Sequence, residues 1–120
     1  MPALELRTNV KIPNVQEYMK GFSKLSAETL GKPEEYICVL VLHDQPMTFK
    51  GTPEPAFLLN VTSLDNINPE ANVKYSAAFF DHFKKTLGID GDRGYISFIG
   101  PGRAYLGLRG TTAGALRGSK

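Results

Sequence analysis

The 120-residue sequence has one cysteine, Cys38, and that excludes an intrachain disulfide. Cys38 sits in the apolar run Tyr36-Ile37-Cys38-Val39-Leu40-Val41-Leu42, where a buried, inert thiol is expected. Histidine is almost as scarce. His43 and His82 fall in different segments, with no cysteine or carboxylate at metal-ligand spacing, so structural or surface roles are expected and no metal site. An excess of one charge is also missing. The net charge is +2 and the basic residues are scattered, which excludes the electrostatic footprint of a nucleic-acid partner. No apolar stretch reaches the length of a membrane helix, and the start lacks an apolar signal core. A cytoplasmic protein without membrane insertion is therefore expected, although unconventional secretion would leave no mark. Gly100-Pro101-Gly102 does not match a phosphate-binding loop, and nothing calls for a cofactor. Asn60-Val61-Thr62 matches a glycosylation acceptor, but inside a strand pattern it reads as coincidence.

The composition that remains, 42% hydrophobic and 22% charged, is ordinary for a globular chain. Its length fits a single domain over 1–120. Leu4 and Leu6 alternate with Glu5 and Arg7, the pattern of a half-buried strand beginning almost at the terminus. Val15, Tyr18, Met19, Phe22, Leu25 and Leu30 then recur at helical spacing, with Lys20, Lys24 and Glu28 turned outward. Gly31-Lys32-Pro33 stops that helix, and the Tyr36–Leu42 run reads as a strand buried on both faces.

The grammar then repeats. A strand is expected from Ala56 to Leu64. A helix follows from Asn68-Pro69-Glu70 to Gly88, carrying Val73, Ala77, Phe80, Phe83 and Leu87, with Lys84-Lys85 on its solvated face. Tyr95 to Ile99 forms another strand, and Ala104 to Leu108 a short terminal one. Two β-α-β units side by side give an α/β (α+β) fold: a four-stranded mixed sheet with both helices on one face. Leu40, Leu42, Leu59 and Val61 cannot all face the helices, so the other face must be covered, most economically by further copies of the chain.

Pro2 carries the chemistry. Removal of Met1 leaves a secondary amine as the first atom of the chain. Such an amine works as a base near neutral pH only if burial or a nearby cation disfavours its ammonium form. A lysine at an assumed ~6 Å and effective dielectric of about 20 repels that ammonium by roughly 2.8 kcal/mol, enough to bring the amine into the working range. A tuned amine of this kind can take a proton from a carbon beside a carbonyl. Alone, Pro2 is an ordinary start to a strand. Lys32 alone is an ordinary cation at a helix C-terminus. The strand-helix-strand plan brings the two to one edge of the sheet.

Pro2, Thr8-Asn9-Val10, Gly31-Lys32-Pro33, Tyr36-Ile37, Glu54-Pro55, Asp92-Arg93 and Tyr95-Ile96 together resemble the macrophage migration inhibitory factor family of the tautomerase superfamily, from Pro2 to about Thr112. The resemblance implies a homotrimer with active sites between subunits, and keto-enol tautomerase activity on phenylpyruvate-type α-keto acids. In it Pro2 is the base and Lys32 binds the substrate carboxylate. Ser63, Leu64, Tyr36 and Leu106 lie around the substrate, while Tyr95 and Ser97 complete the pocket, Tyr95 from the neighbouring subunit. Ser97 stands where relatives commonly carry asparagine, and Leu108 and Ala113 where they carry aromatics, which implies a wider rim and weaker binding of phenyl rings. Ala56-Phe57-Leu58-Leu59 replaces a Cys-x-x-Cys segment, excluding thiol-redox chemistry there. The Gly- and basic-rich tail over 109–120 is expected to fray.

Two other functions fit the same pattern. One is a cytokine-like protein that binds a receptor and keeps only vestigial catalysis. The other uses the terminal proline for decarboxylation or conjugate hydration, with Arg103 or Arg109 entering the pocket.

Overall fold

A computed structural model of the chain describes residues 1–117. The first strand, β1 (Ala3–Thr8), alternates half-buried and buried positions, so Leu4, Leu6 and Thr8 point into the core. Helix α1 (Val15–Leu30) starts at Asn14, whose side chain accepts from the Glu17 amide at 3.2 Å. It ends at Gly31, in the left-handed region at φ +67°. Strand β2 (Cys38–Leu42) follows a 3-10 turn at Glu34–Tyr36.

The second unit follows the same rules. Strand β3 (Phe57–Thr62) leads to α2 (Pro69–Leu87), which Asn68 caps through the Ala71 amide at 2.9 Å and Gly88 closes at φ +68°. Strand β4 (Gly94–Ile99) completes the sheet. Its order is β2-β1-β3-β4, with β1 parallel to β2, β3 parallel to β4, and the two units joined antiparallel through β1 and β3. This is the four-stranded mixed sheet expected from the repeat.

Both helices cover one face. Between them and the sheet lie Leu4, Leu6, Phe22, Phe57, Leu59, Val61, Phe79 and Phe83, all essentially without solvent contact. Fully burying a side chain such as one of these phenylalanines contributes about 1.5–3 kcal/mol. Phe22, Phe79, Phe57 and Phe83 form a ring cluster with centroids 4.7–6.5 Å apart. The opposite face is uncovered in the single chain. Leu40, Leu42, Leu58 and Ile99 are 36–43% exposed there, around a polar centre of Glu5, Arg7 and Asn60.

Several sequence expectations need correction. The Tyr36–Leu42 run is not a strand buried on both faces. Tyr36 belongs to the turn and Ile37 caps it, and β2 is an edge strand in which only Val41 is buried. Cys38 is exposed rather than buried, because the pleat turns it, with Leu40 and Leu42, to the uncovered face. The expected Ala104–Leu108 strand divides into a 3-10 turn at Arg103–Tyr105 and a strand β5 (Gly107–Leu108), which pairs with β6 (Thr111–Thr112). Instead of a frayed tail, helix α3 (Ala113–Arg117) follows β6, with Ala113 fully buried and its amide bonded to the Leu106 carbonyl at 2.9 Å. The remaining positions, 118–120, lie outside the described residues.

The two histidines take the structural roles expected of them. His43 accepts from the Ile12 amide at 3.0 Å, and His82 stacks on Phe22.

Candidate active site

Pro2 lies at the end of the sheet where β1 begins, fully buried. Its carbonyl accepts from the Cys38 amide at 3.0 Å, which extends the β1–β2 ladder by one step. On the other side Ala3 aligns with Thr62, so the next step sets Pro2 opposite Ser63. Ser63 is pinned by its own amide, which donates to the Ile99 carbonyl at 3.0 Å. Its side chain is wholly buried, and among the described residues the hydroxyl has no hydrogen-bond partner. Leu64 beside it is 5% exposed.

The loop after β3 brings Lys32 to this end. Asn66 donates through Nδ2 to the Leu30 carbonyl at 3.0 Å, satisfying one of the last carbonyls of α1. Tyr75 of α2 holds Asn66 in turn, its hydroxyl donating to the Asn66 carbonyl at 2.9 Å. Lys32, two residues past Leu30, is half-buried. Tyr36 is 40% exposed on the turn that leads into β2.

Asp65 reports how closely these charges gather. Its carboxyl is held below the usual carboxylate range, first by the hydrogen bond from Arg103 and then by the charge of that guanidinium. The Lys32 ammonium and the amine of the chain terminus act in the same direction, against a desolvation that raises it. The Arg103–Asp65 pair and the Asn66–Leu30 bond thus bring the Arg103 turn, the loop after β3 and the end of α1 together at the end of the sheet where Pro2 leads into β1. Pairings of this kind, 38 residues apart, leave no spacing signal, and Asp65, Asn66, Tyr75 and the placement of Arg103 were not legible in the sequence.

Tyr95 and Ser97 are elsewhere in the single chain. Tyr95 aligns with Leu58 and through it with Arg7, five residues along β1 from Pro2, or about 17 Å at 3.4 Å per residue. It is 68% exposed and packs on Phe49 with centroids 4.9 Å apart, lining a groove with Lys50, Asp92 and Gly94. Arg93 fixes the loop below. It is buried, and donates to the carbonyls of Pro55, Thr52 and Glu54 at 2.9–3.2 Å. Ser97 faces the uncovered side of β4. Leu106 is half-buried, its carbonyl taken up by Ala113. The chain thus carries an amine-and-cation cluster at one end of its sheet and an aromatic groove at the other.

Among the described residues no group of three or more histidine, cysteine, aspartate or glutamate side chains could hold a metal ion. No described helix is long and apolar enough to cross a membrane.

Comparison with known proteins gives a consistent result. The family model described as macrophage migration inhibitory factor (MIF) matches residues 1–114. A macrophage migration inhibitory factor homolog of Trichuris trichiura is 39% identical over 113 residues, covering 93% of this chain and 99% of the relative. The macrophage migration inhibitory factor of Rattus norvegicus is 34% identical over 113 residues, covering 93% and 98%. Among solved structures, that of the factor from Trichinella spiralis superimposes with a TM-score of 0.86 at 34% identity, covering 92% of this chain and 98% of that one. A homologue from Prochlorococcus marinus gives a TM-score of 0.86 at 29% identity, covering 93% and 99%.

Proposed function

From the premise that this chain belongs to the macrophage migration inhibitory factor family, we propose that it is a keto-enol tautomerase whose base is the Pro2 amine, released by removal of Met1. The observation that carries the reading is the convergence at one end of the sheet, where the ladder sets Pro2 opposite the buried Ser63 and Asn66 ties the end of α1, ahead of Lys32, to the loop after β3. Cleavage after Met1 moves the amine onto Pro2, which the sheet ladder seats between Cys38 and Ser63. The neighbouring Lys32 disfavours its protonated form. The neutral amine takes a proton from the carbon next to the keto group of a phenylpyruvate-type acid. Lys32 binds the acid's carboxylate, and the conjugate ammonium returns the proton to oxygen. Tyr36 and Leu64 border the substrate.

Tyr95 and Ser97 reach this site only from a second copy of the chain. The uncovered sheet face, with Leu40, Leu42, Leu58 and Ile99 around its polar centre, supports a homotrimer in which adjacent subunits share each site. No cofactor enters the reaction.

Enol formation from phenylpyruvate tests the reading in three preparations: wild type, Pro2→Gly, and a form that retains Met1. The two altered forms are expected to lose at least about 100-fold in kcat/KM, the scale of general-base catalysis. Equal rates in all three would overturn it. Sedimentation checks the trimer separately.

A further inference from the structure

A carboxylate beside a catalytic amine is a hazard. It stabilises the ammonium form, and it competes with substrate for a carboxylate-binding lysine. Asp65 is such a carboxylate: the β1–β3 ladder sets Pro2 opposite Ser63, two residues before it, and its neighbour Asn66 bonds the Leu30 carbonyl, two residues before Lys32. It follows Ser63 and Leu64 directly and holds a left-handed backbone at φ +68°. Its side chain, however, is gripped at two points. Arg103 Nε stands 3.1 and 3.3 Å from the two carboxylate oxygens, and Nη2 is 2.9 Å from one of them. A guanidinium fork of this kind fixes a carboxylate more firmly than a lysine can.

Arg103 is itself held in place. It opens the 3-10 turn Arg103–Tyr105, with the Tyr105 amide bonded to the Gly102 carbonyl at 3.0 Å. Helix α3 backs this turn so closely that a Cβ on Gly114 would meet the backbone of Ala104 at 3.3 Å. The C-terminal segment therefore sets where the guanidinium stands.

We infer that Arg103 is a positioning residue of the site: by gripping Asp65 it withholds that carboxylate from the Pro2 amine and from Lys32. The inference rests on Pro2 being the base. The charged groups on the elements that meet at this end are Lys32 after α1, Glu34 and Glu35 on the turn before Cys38, Asp65 on the loop after β3, and Arg103. Without Arg103 the freed carboxylate favours the ammonium and pairs with Lys32.

The test compares wild type, Arg103→Ala, Arg103→Gln, Asp65→Asn and the double variant Asp65→Asn/Arg103→Ala, all processed to Pro2. The amine is titrated directly by NMR with nitrogen-15 proline, and the acid limb of kcat/KM for phenylpyruvate is measured alongside. Both Arg103 variants are expected to move the amine titration and the acid limb upward by about one pH unit, and to raise KM several-fold. Asp65→Asn alone should not raise either, and the double variant should return close to wild type. An unmoved titration in the Arg103 variants overturns the inference. So does a shift that Asp65→Asn fails to reverse, because that would mark a merely structural role for the arginine. Failure of the base assignment shows separately: Pro2→Gly would keep its activity, while the NMR titration would still report on Asp65 and Arg103.

Discussion

The two β-α-β units are built alike. Each helix is capped at its start by an asparagine, Asn14 or Asn68, and closed by a left-handed glycine, Gly31 or Gly88, at φ +67° and +68°. Each strand pair is parallel, and the antiparallel β1–β3 seam relates the units end to end. Their chemistry nevertheless differs. In the proposed reaction the first unit offers the Pro2 amine, and Lys32, just past its helix cap, is the cation beside it. The corresponding opening of the second unit, Ala56–Phe57, lies in mid-chain and has only an amide, which donates from Phe57 to the Arg93 carbonyl at 3.1 Å. What the second unit contributes is an aromatic groove around Phe49 and Tyr95. On the proposed reading, a repeated fold supplies a base at one end and a binding surface at the other, and the functional unit is complete only when copies meet.

The largest effect that could break this comparison is a complementation. Pro2→Gly disables the base of its own subunit, and Tyr95→Ala strips the groove it offers to a neighbour. Alone, the first should lose about 100-fold or more in kcat/KM, and the second about 5- to 15-fold, for a lost aromatic contact of about 1–1.5 kcal/mol. Refolded together in equal amounts, the variants form mixed trimers in which about a quarter of the sites are intact, with that share of wild-type activity expected. If mixing merely averages the two parents, the base and Tyr95 do not act across subunits.

A smaller effect separates the units by packing. Gly94 opens β4 beside Phe57, and a Cβ there would stand 2.1 Å from the Phe57 ring. Because the ring is fully buried and wedged against Phe80 and Phe83, it cannot move aside freely. Gly94→Ala should therefore lower stability by about 1–3 kcal/mol, read as a fall in the urea midpoint. Cys38 holds the matching ladder position in the first unit and points away from the subunit core, so Cys38→Ala should cost less than Gly94→Ala. Equal costs at the two positions would erase the distinction.

Much of this architecture was legible because it is local. Apolar spacing, asparagine caps and terminal glycines fix the helices, and alternation at Leu4 and Leu6 fixes the face that β1 buries. Cys38 was misread because the composition of a run does not tell an edge strand from a central one. Leu40 and Leu42 look like core until the sheet order leaves them on the uncovered face. For the proposed site, chemistry and position in the sequence singled out Pro2 and Lys32. The Asn66–Leu30 bridge, the Tyr75 brace and the Arg103–Asp65 grip could not be read there, since each joins residues whose proximity only the tertiary fold creates. The Ala- and Gly-rich tail gave no helical pattern of its own, and packing against the Arg103 turn supplies what its sequence lacks.

The smallest effect concerns the seam between the units. His82 of α2 stacks on Phe22 of α1 with centroids 5.9 Å apart, and lies 5.8 Å from the ring of Tyr18. Its Nε2 is buried without a partner. Burial holds its pKa below the ordinary histidine value, with Asp81 opposing. Above about pH 6.5 the histidine is neutral whether the chain is folded or not, and contributes no pH dependence. As pH falls through that value the unfolded chain takes up a proton that the folded chain resists, so stability declines until the folded-state pKa is reached. Unfolding midpoints followed from pH 7.5 to about 5 should show this decline. His82→Phe keeps a ring against Phe22, removes the proton, and should flatten the decline in this range. The acidic losses from Asp65 and Asp92, whose carboxyls are held low by Arg103 and Lys50, begin only nearer pH 4 and will not overlap it. A wild-type profile as flat as that of the phenylalanine variant would mean that the seam admits water, and that the two units are joined through the sheet rather than through their helices.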